Sequence, residues 1–236
     1  MVTERQKSIL EALIREYVAE ASPVSSGEIV RKYHLPYSPA TVRAELYELD
    51  RQGFILQPHT SAGRVPTDKG YRFFIEESIV VDEGNDKKME RALSSLLDIK
   101  DEFDFLRQSS RLIAQTSREF SVAGFLGRGL LYKSGLAEVL RGPEFADENT
   151  AQEFGELADF LDEEINRYFV IGEAEEPRVF IGEENPIRDA KNYTLMISRT
   201  NTPFGKVGIF AILGPRRMDY ERNLMLLRAM RRIFGE

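Results

Sequence analysis

Between residues 37 and 72 this 236-residue chain gathers Tyr37, Ser38, Thr41, Arg43, Ala44 and Tyr47, then His59, Thr60, Ser61, Gly63 and Arg64, then Lys69 and Arg72. No catalytic constellation is found among them. What these types can do is hold a phosphodiester and read base edges. An arginine forks onto guanine, and a threonine meets either kind of base edge. The free N–H groups of a helix start, with Ser38 beside them, suit a phosphate. Small residues around Gly63 permit close backbone approach, and Arg64 supplies a cation for a narrow minor groove. His59 reads as a phosphate contact rather than a catalyst. Each residue also has a plain alternative: Arg43 paired with Glu48, His59 hydrogen-bonded locally, Lys69 and Arg72 simply solvated.

The elements that must position them are legible. Ser38 followed by Pro39 is an N-cap ahead of a proline at the first helical position. Val42, Leu46 and Leu49 fall at i, i+4 and i+7 and give that short helix one apolar stripe. Gly53 ends it, Phe54-Ile55-Leu56 is a β-type run, His59 to Arg64 a polar tip, and Thr67 starts a capped helix. Upstream, Thr3 and Gln6 form a capping box ahead of Ile9, Leu10, Leu13, Ile14, Tyr17 and Val18. Ser22-Pro23 breaks that helix, and Ser25 with Glu28 caps a second, short one. Three helices followed by a strand and a basic hairpin tip predict a winged helix-turn-helix. Its third helix would enter a DNA major groove while the wing reaches phosphates or the minor groove.

Composition constrains the rest. Charged residues at 30% and hydrophobic ones at 42% describe an ordinary globular chain. With no Cys and two His, disulfides, cysteine-ligated metals and three-His metal sites are excluded. No signal peptide opens the chain, and no apolar run approaches the ~18 residues of a membrane span. A cytoplasmic protein is expected, associated with the nucleoid when on DNA. The net charge of −7 is unevenly spread. Residues 1–76 carry as many basic as acidic side chains, so the acidic excess lies wholly beyond them. Neutrality is compatible with DNA binding if the arginines share a face, and an acidic body discourages non-specific adhesion.

Past the wing, Val80 to Asn85 (VVDEGN) reads as a linker. A helical pattern resumes at Asp86 with Met89, Leu93 and Leu96, then Phe103, Leu106 and Ile113, interrupted at Lys100. From Phe120 short apolar runs take over: FSVAGFL and LLY as strands, then a long acidic helix opened by Pro143 to Phe145 and running roughly from Thr150 to Tyr168. Further strands are expected at Tyr168 to Ile171, Arg178 to Ile181, Tyr193 to Arg199 and Lys206 to Leu213, before a last helix from Tyr220 to Phe234. Runs of strands flanked by helices predict an α+β domain with a mostly antiparallel sheet. The expected division is a DNA-binding domain over 1–79, a linker and helical connector over 80–118, and the α+β domain over 119–236. Gly124 to Gly129 lacks both the G-x-G-x-x-G order and the Lys-Ser/Thr of a P-loop, so it reads as a tight turn. The carboxylates at Asp162 to Glu164 and Glu183-Glu184 have no nucleophile or His beside them. No enzyme, cofactor or metal site is expected.

The string SPATVRAELYELDRQGFILQPHTSAGRVPTDKGYRFF, with TERQKSILEALIREYV before it and GKVGIFAILGPRRMDYERNL near the end, resembles the HrcA family of heat-inducible transcription repressors. The resemblance implies a GAF-like second domain and a repressor of chaperone operons. It also implies a homodimer on an inverted-repeat operator, with the chaperonin as a partner that assists its active fold. The family places Asn where this chain has Ala44, and it carries a dimerising segment inserted in the second domain. Here Phe125 to Gly129 joins the flanking pieces directly, so a shortened member is expected. Two other readings remain open: a ligand-sensing winged-helix regulator, and a degenerate paralogue that binds protein rather than DNA.

Overall fold

The computed structural model describes residues 2–59, 62–79, 86–127, 129, 131–169 and 176–235. The chain divides into two compact units, Met1–Val80 and Val81–Glu236. The linker expected at 80–85, and Thr60 and Ser61 of the tip, lie outside the described residues.

In the first unit α1 (Glu4–Glu20) opens on the reciprocal cap of Thr3 and Gln6, and α2 (Ser26–Tyr33) on that of Ser25 and Glu28. Each of these helices stops at a left-handed residue, Ala21 and His34. α3 (Pro39–Arg51) starts where Ser38 accepts the Thr41 N–H at 3.1 Å. Ile9, Leu10, Leu13 and Ile14 of α1, Ile29 of α2 and Val42, Leu46 and Leu49 of α3 are buried. Each contributes on the order of 1.5–3 kcal/mol, against about 1 kcal/mol for a cap. The stripes therefore assemble the helices, and the caps decide where they begin. Gly53, at φ 78°, turns the chain into β1 (Ile55–Leu56), which pairs antiparallel with β2 (Val65–Pro66). Thr67 caps α4 (Asp68–Glu77), which packs Tyr71 and Phe74 inward.

The second unit runs through α5 (Lys87–Ser95), α6 (Glu102–Ser117), β3 (Phe120–Phe125), β4 (Leu131–Ser134), the single turn α7 (Leu136–Val139), α8 (Glu148–Phe169), β5 (Arg178–Ile181), β6 (Tyr193–Asn201), β7 (Val207–Pro215) and α9 (Tyr220–Gly235). It is an α+β arrangement whose five-stranded sheet has the order β4-β3-β7-β6-β5, every pairing antiparallel. The two-residue period of the strands sends Phe120, Val122, Leu195, Ile197, Ile209, Ala211 and Leu213 to one face, where Phe154, Leu157, Leu161 and Ile165 of α8 cover them. α6 and α9 lie against the sheet's other face.

Four expectations are revised. α6 packs on β3 and β4, and α5 on α9, so the described part of 80–118 is a layer of the second unit rather than a connector. The break near Lys100 is a change of helix, with Asp101 capping α6 through the N–H groups of Phe103 and Asp104. Of the strand expected at Tyr168 to Ile171, Tyr168 and Phe169 belong to α8, as the Leu157, Leu161, Ile165 spacing continues the helix, and Val170 and Ile171 lie outside the described residues. Pro143–Phe145 is a separate 3-10 turn ahead of that helix.

The α6 side of the sheet is unusually polar. Ser110 and Ser121 are fully buried, with Ser121 donating to the Ser110 carbonyl at 2.6 Å. Asn185 Nδ2 lies 3.0–3.2 Å from the carbonyls of Phe180, Gly182, Ala190 and Tyr193 and ties together the β5–β6 connection. Glu119, just before β3, is buried with its carboxyl group against Gly214. Burial pushes that carboxyl well above its ordinary range, and the charge of Glu144 pushes the same way, more than Arg217 and Arg222 offset. Arg217 is already paired with Glu144 at 2.5 Å and Arg222 with Asp219 at 2.9 Å. The folded chain therefore holds a proton that the unfolded chain releases once pH exceeds the usual carboxylate range, so stability falls as pH rises above that point. Glu119→Gln keeps the shape without the charge. In thermal unfolding it should melt above the wild type at neutral pH, the gain shrinking to nothing toward pH 4; an equal gain at both pH values would show that ionisation is not the cause.

Candidate nucleic-acid interface

The inward stripe of α3 fixes the rotation of that helix about its own axis. Ala40, Arg43, Ala44 and Tyr47, at i, i+3, i+4 and i+7, are consequently all exposed on the opposite side. Tyr47 is 66% exposed, the most exposed large apolar side chain among the described residues. Arg43 has no ion-pair partner among the described residues. Its expected alternative, Glu48, is taken by others: Arg51 donates to it at 2.8 and 2.9 Å and Gln52 at 2.8 Å, and these bonds lower its carboxyl to about 2. The guanidinium of Arg43 is left facing solvent beside an aromatic ring and two small alanines, a surface that a base edge can approach closely.

Two networks hold this face in place. Glu45 turns inward from α3, accepting from Gln6 Nε2 at 2.9 Å and pairing with Arg5, so α3 is tied to the start of α1. Arg5 also lies 6.0 Å from the ring of Tyr37, which makes that half-buried tyrosine part of the same packing. At the start of α3 the hydroxyls of Ser38 and Thr41 are 2.9 Å apart and bond to each other. They can still turn toward a phosphate, with the first-turn N–H groups beside them.

The hairpin differs more from expectation. His59 is exposed, and its carbonyl accepts the Ala62 N–H at 2.9 Å in the tip turn. Gly63 passes directly over Pro23 and Val24, where a Cβ would fall 2.6 Å from the Pro23 carbonyl carbon and closer still to the Val24 carbonyl. Its glycine is thus explained by packing within the unit. Arg64 was expected to carry a free charge at the tip; instead its Nε lies 2.9 Å from Asp50 Oδ2, with only 17% of its side chain exposed. The approach is close enough for an ion pair but lacks the alignment of a hydrogen bond. Lys69 likewise turns back, donating to the Gln52 carbonyl at 2.7 Å with its ammonium 4.4 Å from the Phe54 ring. Both cations serve the end of α3, where unpaired carbonyls attract positive charge. Arg72 is half-buried, 3.9 Å from Glu76.

The structure therefore brings Arg43, Ala44 and Tyr47 together, with Ser38 and Thr41 at the same end of the helix. It sends Arg64 and Lys69 to the other end and Tyr37 into the packing. The positioning residues Gln6, Glu45 and Asp50 are not apparent from the sequence. Gln6 is already accounted for as a cap, and nothing in the spacing of Asp50 and Arg64 marks them as partners.

Among the described residues no helix is long and apolar enough to cross a membrane, and no group of three or more His, Asp or Glu could hold a metal ion. In class this is a helical unit with a short β-ribbon, followed by an α+β unit built on an antiparallel sheet. Residues 82–224 match the family model described as HrcA protein C terminal domain, and the chain belongs to the HrcA family. It is 41% identical over 126 residues to the heat-inducible transcription repressor HrcA of Nocardioides sp., and 40% identical over 123 residues to that of Chloroflexus aggregans. Those matches cover 53% and 52% of this chain but only 37% and 33% of the relatives. The namesake in Thermodesulfovibrio yellowstonii aligns over 98% of this chain and 97% of its own length at 23% identity, in an alignment of 336 positions. A crystal structure described only as that of a hypothetical protein shares the fold over 99% of this chain and 98% of its own, with a TM-score of 0.77 at 18% identity.

Gly63→Ala should destabilise the unit by about 1–3 kcal/mol, the usual cost of overpacking, since the obstructing atoms are backbone. Gly27, with open space around it, is the control: Gly27→Ala should leave chemical denaturation unchanged or slightly improved. Equal behaviour of the two variants would mean that the ribbon does not need its close approach.

Proposed function

We propose that this chain is a sequence-specific DNA-binding transcriptional repressor whose first unit works as a winged helix-turn-helix. α3 enters the major groove with Arg43 and Tyr47 on base edges and the T-methyl surface beside Ala44, while Ser38 and Thr41 hold a phosphate. His59, Thr60, Ser61 and Arg72 supply further contacts to the DNA backbone. The observation that carries this reading is the exposed α3 face, where an arginine with no ionic partner among the described residues stands next to a solvent-facing tyrosine. The names borne by the relatives, heat-inducible transcription repressors, point the same way.

One such unit makes too few contacts to select a single genomic site, because a small module buries little surface and each base pair contributes only ~1–3 kcal/mol of discrimination. Two copies on an inverted repeat add their discrimination and gain from effective concentration. The protein accordingly acts as a homodimer on an inverted-repeat operator, in the cytoplasm and at the nucleoid when bound. The operator lies upstream of chaperone operons, and the chaperonin assists the active fold, so that heat, by diverting the chaperonin, releases the genes. The dimer forms without the family's inserted segment. Support comes from β3 and β4, antiparallel neighbours that lie close together in the sequence, and from an alignment of 336 positions against a chain of 236 residues.

A gel shift on DNA upstream of the organism's own chaperone operons tests the central claim. Wild-type affinity should fall steeply with salt, and Arg43→Ala should cost about 1–3 kcal/mol and relax sequence preference at one position. Binding that is equally tight on unrelated DNA would refute it. Adding purified chaperonin should raise operator occupancy at fixed repressor concentration; unchanged occupancy removes that partner while leaving the DNA reading intact.

A further inference from the structure

We propose that Arg64 is a positioning residue, pinning the hairpin to the end of α3, and that it contacts no DNA itself; this rests on the reading of the first unit as a DNA-binding head. Three contacts meet at this one residue. Its N–H donates to the Val24 carbonyl at 2.8 Å, and its carbonyl accepts the Val24 N–H at 2.9 Å, an antiparallel bridge to the turn between α1 and α2. Its guanidinium pairs with Asp50 in the last turn of α3. One residue thereby links the α1–α2 turn, the hairpin and the helix that carries Arg43. The angle between the hairpin tip and the exposed face of α3 is set through it.

The chemistry separates this from a direct role. A guanidinium neutralised by Asp50 and largely covered offers a phosphate little net attraction, and freeing it would leave the half-buried Asp50 unpaired. The helix C-terminus adds to the hold, since its partial negative charge favours a cation there. A second cation, Lys69, closes the same helix end on the Gln52 carbonyl, so the hairpin and α4 are both anchored to it. Asp50 gives the decisive contrast. Removing a carboxylate near a DNA-binding surface strengthens binding if general electrostatics governs, whereas loss of a pin weakens it.

The test uses the full chain with Asp50→Asn, Arg64→Ala, their combination, and the exchanged pair Asp50→Arg with Arg64→Asp. On operator DNA each single change should weaken binding by roughly tenfold, and the double change no more than either alone. The slope of affinity against salt should stay that of the wild type, and the exchanged pair should recover part of the loss. Amide exchange at Val24 and Arg64 should quicken in Asp50→Asn while the global unfolding midpoint moves little. Tighter or unchanged binding by Asp50→Asn would overturn the proposal, as would a salt slope reduced by about 1 in Arg64→Ala, which marks a lost phosphate contact. Should the wild type bind no operator at all, the repressor reading falls by itself. The exchange measurement then decides alone, and unchanged protection at both amides in Asp50→Asn overturns the pin.

Discussion

Val24 and Arg64 exchange two backbone hydrogen bonds across thirty-nine intervening residues, at a place where Gly63 has no side chain to keep the strands apart. Closing so long a loop carries an entropic cost that grows slowly with length, and here the buried stripes of the three enclosed or flanking helices offset it. The consequence is geometric. With the hairpin held at Val24, at Asp50 and through β1 at the exit of α3, α3 has little freedom to roll, and its outer face stays outermost. A recognition surface made of a few side chains depends on that constancy, because its hydrogen bonds to base edges tolerate small errors only.

The second unit is organised by a different constraint, the unequal character of the two faces of one sheet. Beneath α8 lies a mainly apolar layer with Phe154, Phe145 and Tyr193 in mutual edge and stacked contact. Beneath α6 and α9 lie serines, threonines, Asn223 and the buried Glu119. Small hydroxyl residues let α6 sit close to β3, and buried polar groups must then find their partners inside the protein. Thr194 meets the Tyr220 hydroxyl at 3.0 Å, and that hydroxyl donates to the Arg216 carbonyl at 2.6 Å, fixing the corner between β7 and α9. These bonds are short-range and directional, so this face specifies a single packing where a purely apolar one would tolerate several.

Local rules carried the sequence reading a long way. Both capping boxes, the Ser38 N-cap, the left-handed Gly53 and the three-helix stripe pattern depend on residues within four positions of one another, and the structure has each of them. The same holds for the strands at Phe120, Arg178, Tyr193 and Val207, where alternation is set by immediate neighbours. Reading failed where a local signal was cut short. Tyr168 looked like a strand start because aromatic and β-branched residues follow it, yet the four-residue stripe of α8 still governed it. The helices before Phe120 passed for a connector because an apolar stripe does not say what covers it: α6 packs on the strands that follow it directly, and α5 on α9 at the far end of the chain.

For the candidate interface the division is just as clear. Periodicity alone determines that Arg43, Ala44 and Tyr47 share the side of α3 opposite Val42, Leu46 and Leu49, since 3.6 residues per turn leave no other arrangement. The capping signal likewise places Thr67 at a helix start. Whether a cation is available or committed was decided only in three dimensions. Glu48 could have taken Arg43 but went to Arg51 and Gln52; Arg64 went to Asp50, and Lys69 to a carbonyl of α3. Ionic partners are chosen by proximity among long, flexible side chains, and for residues brought together by tertiary packing no sequence spacing records that proximity.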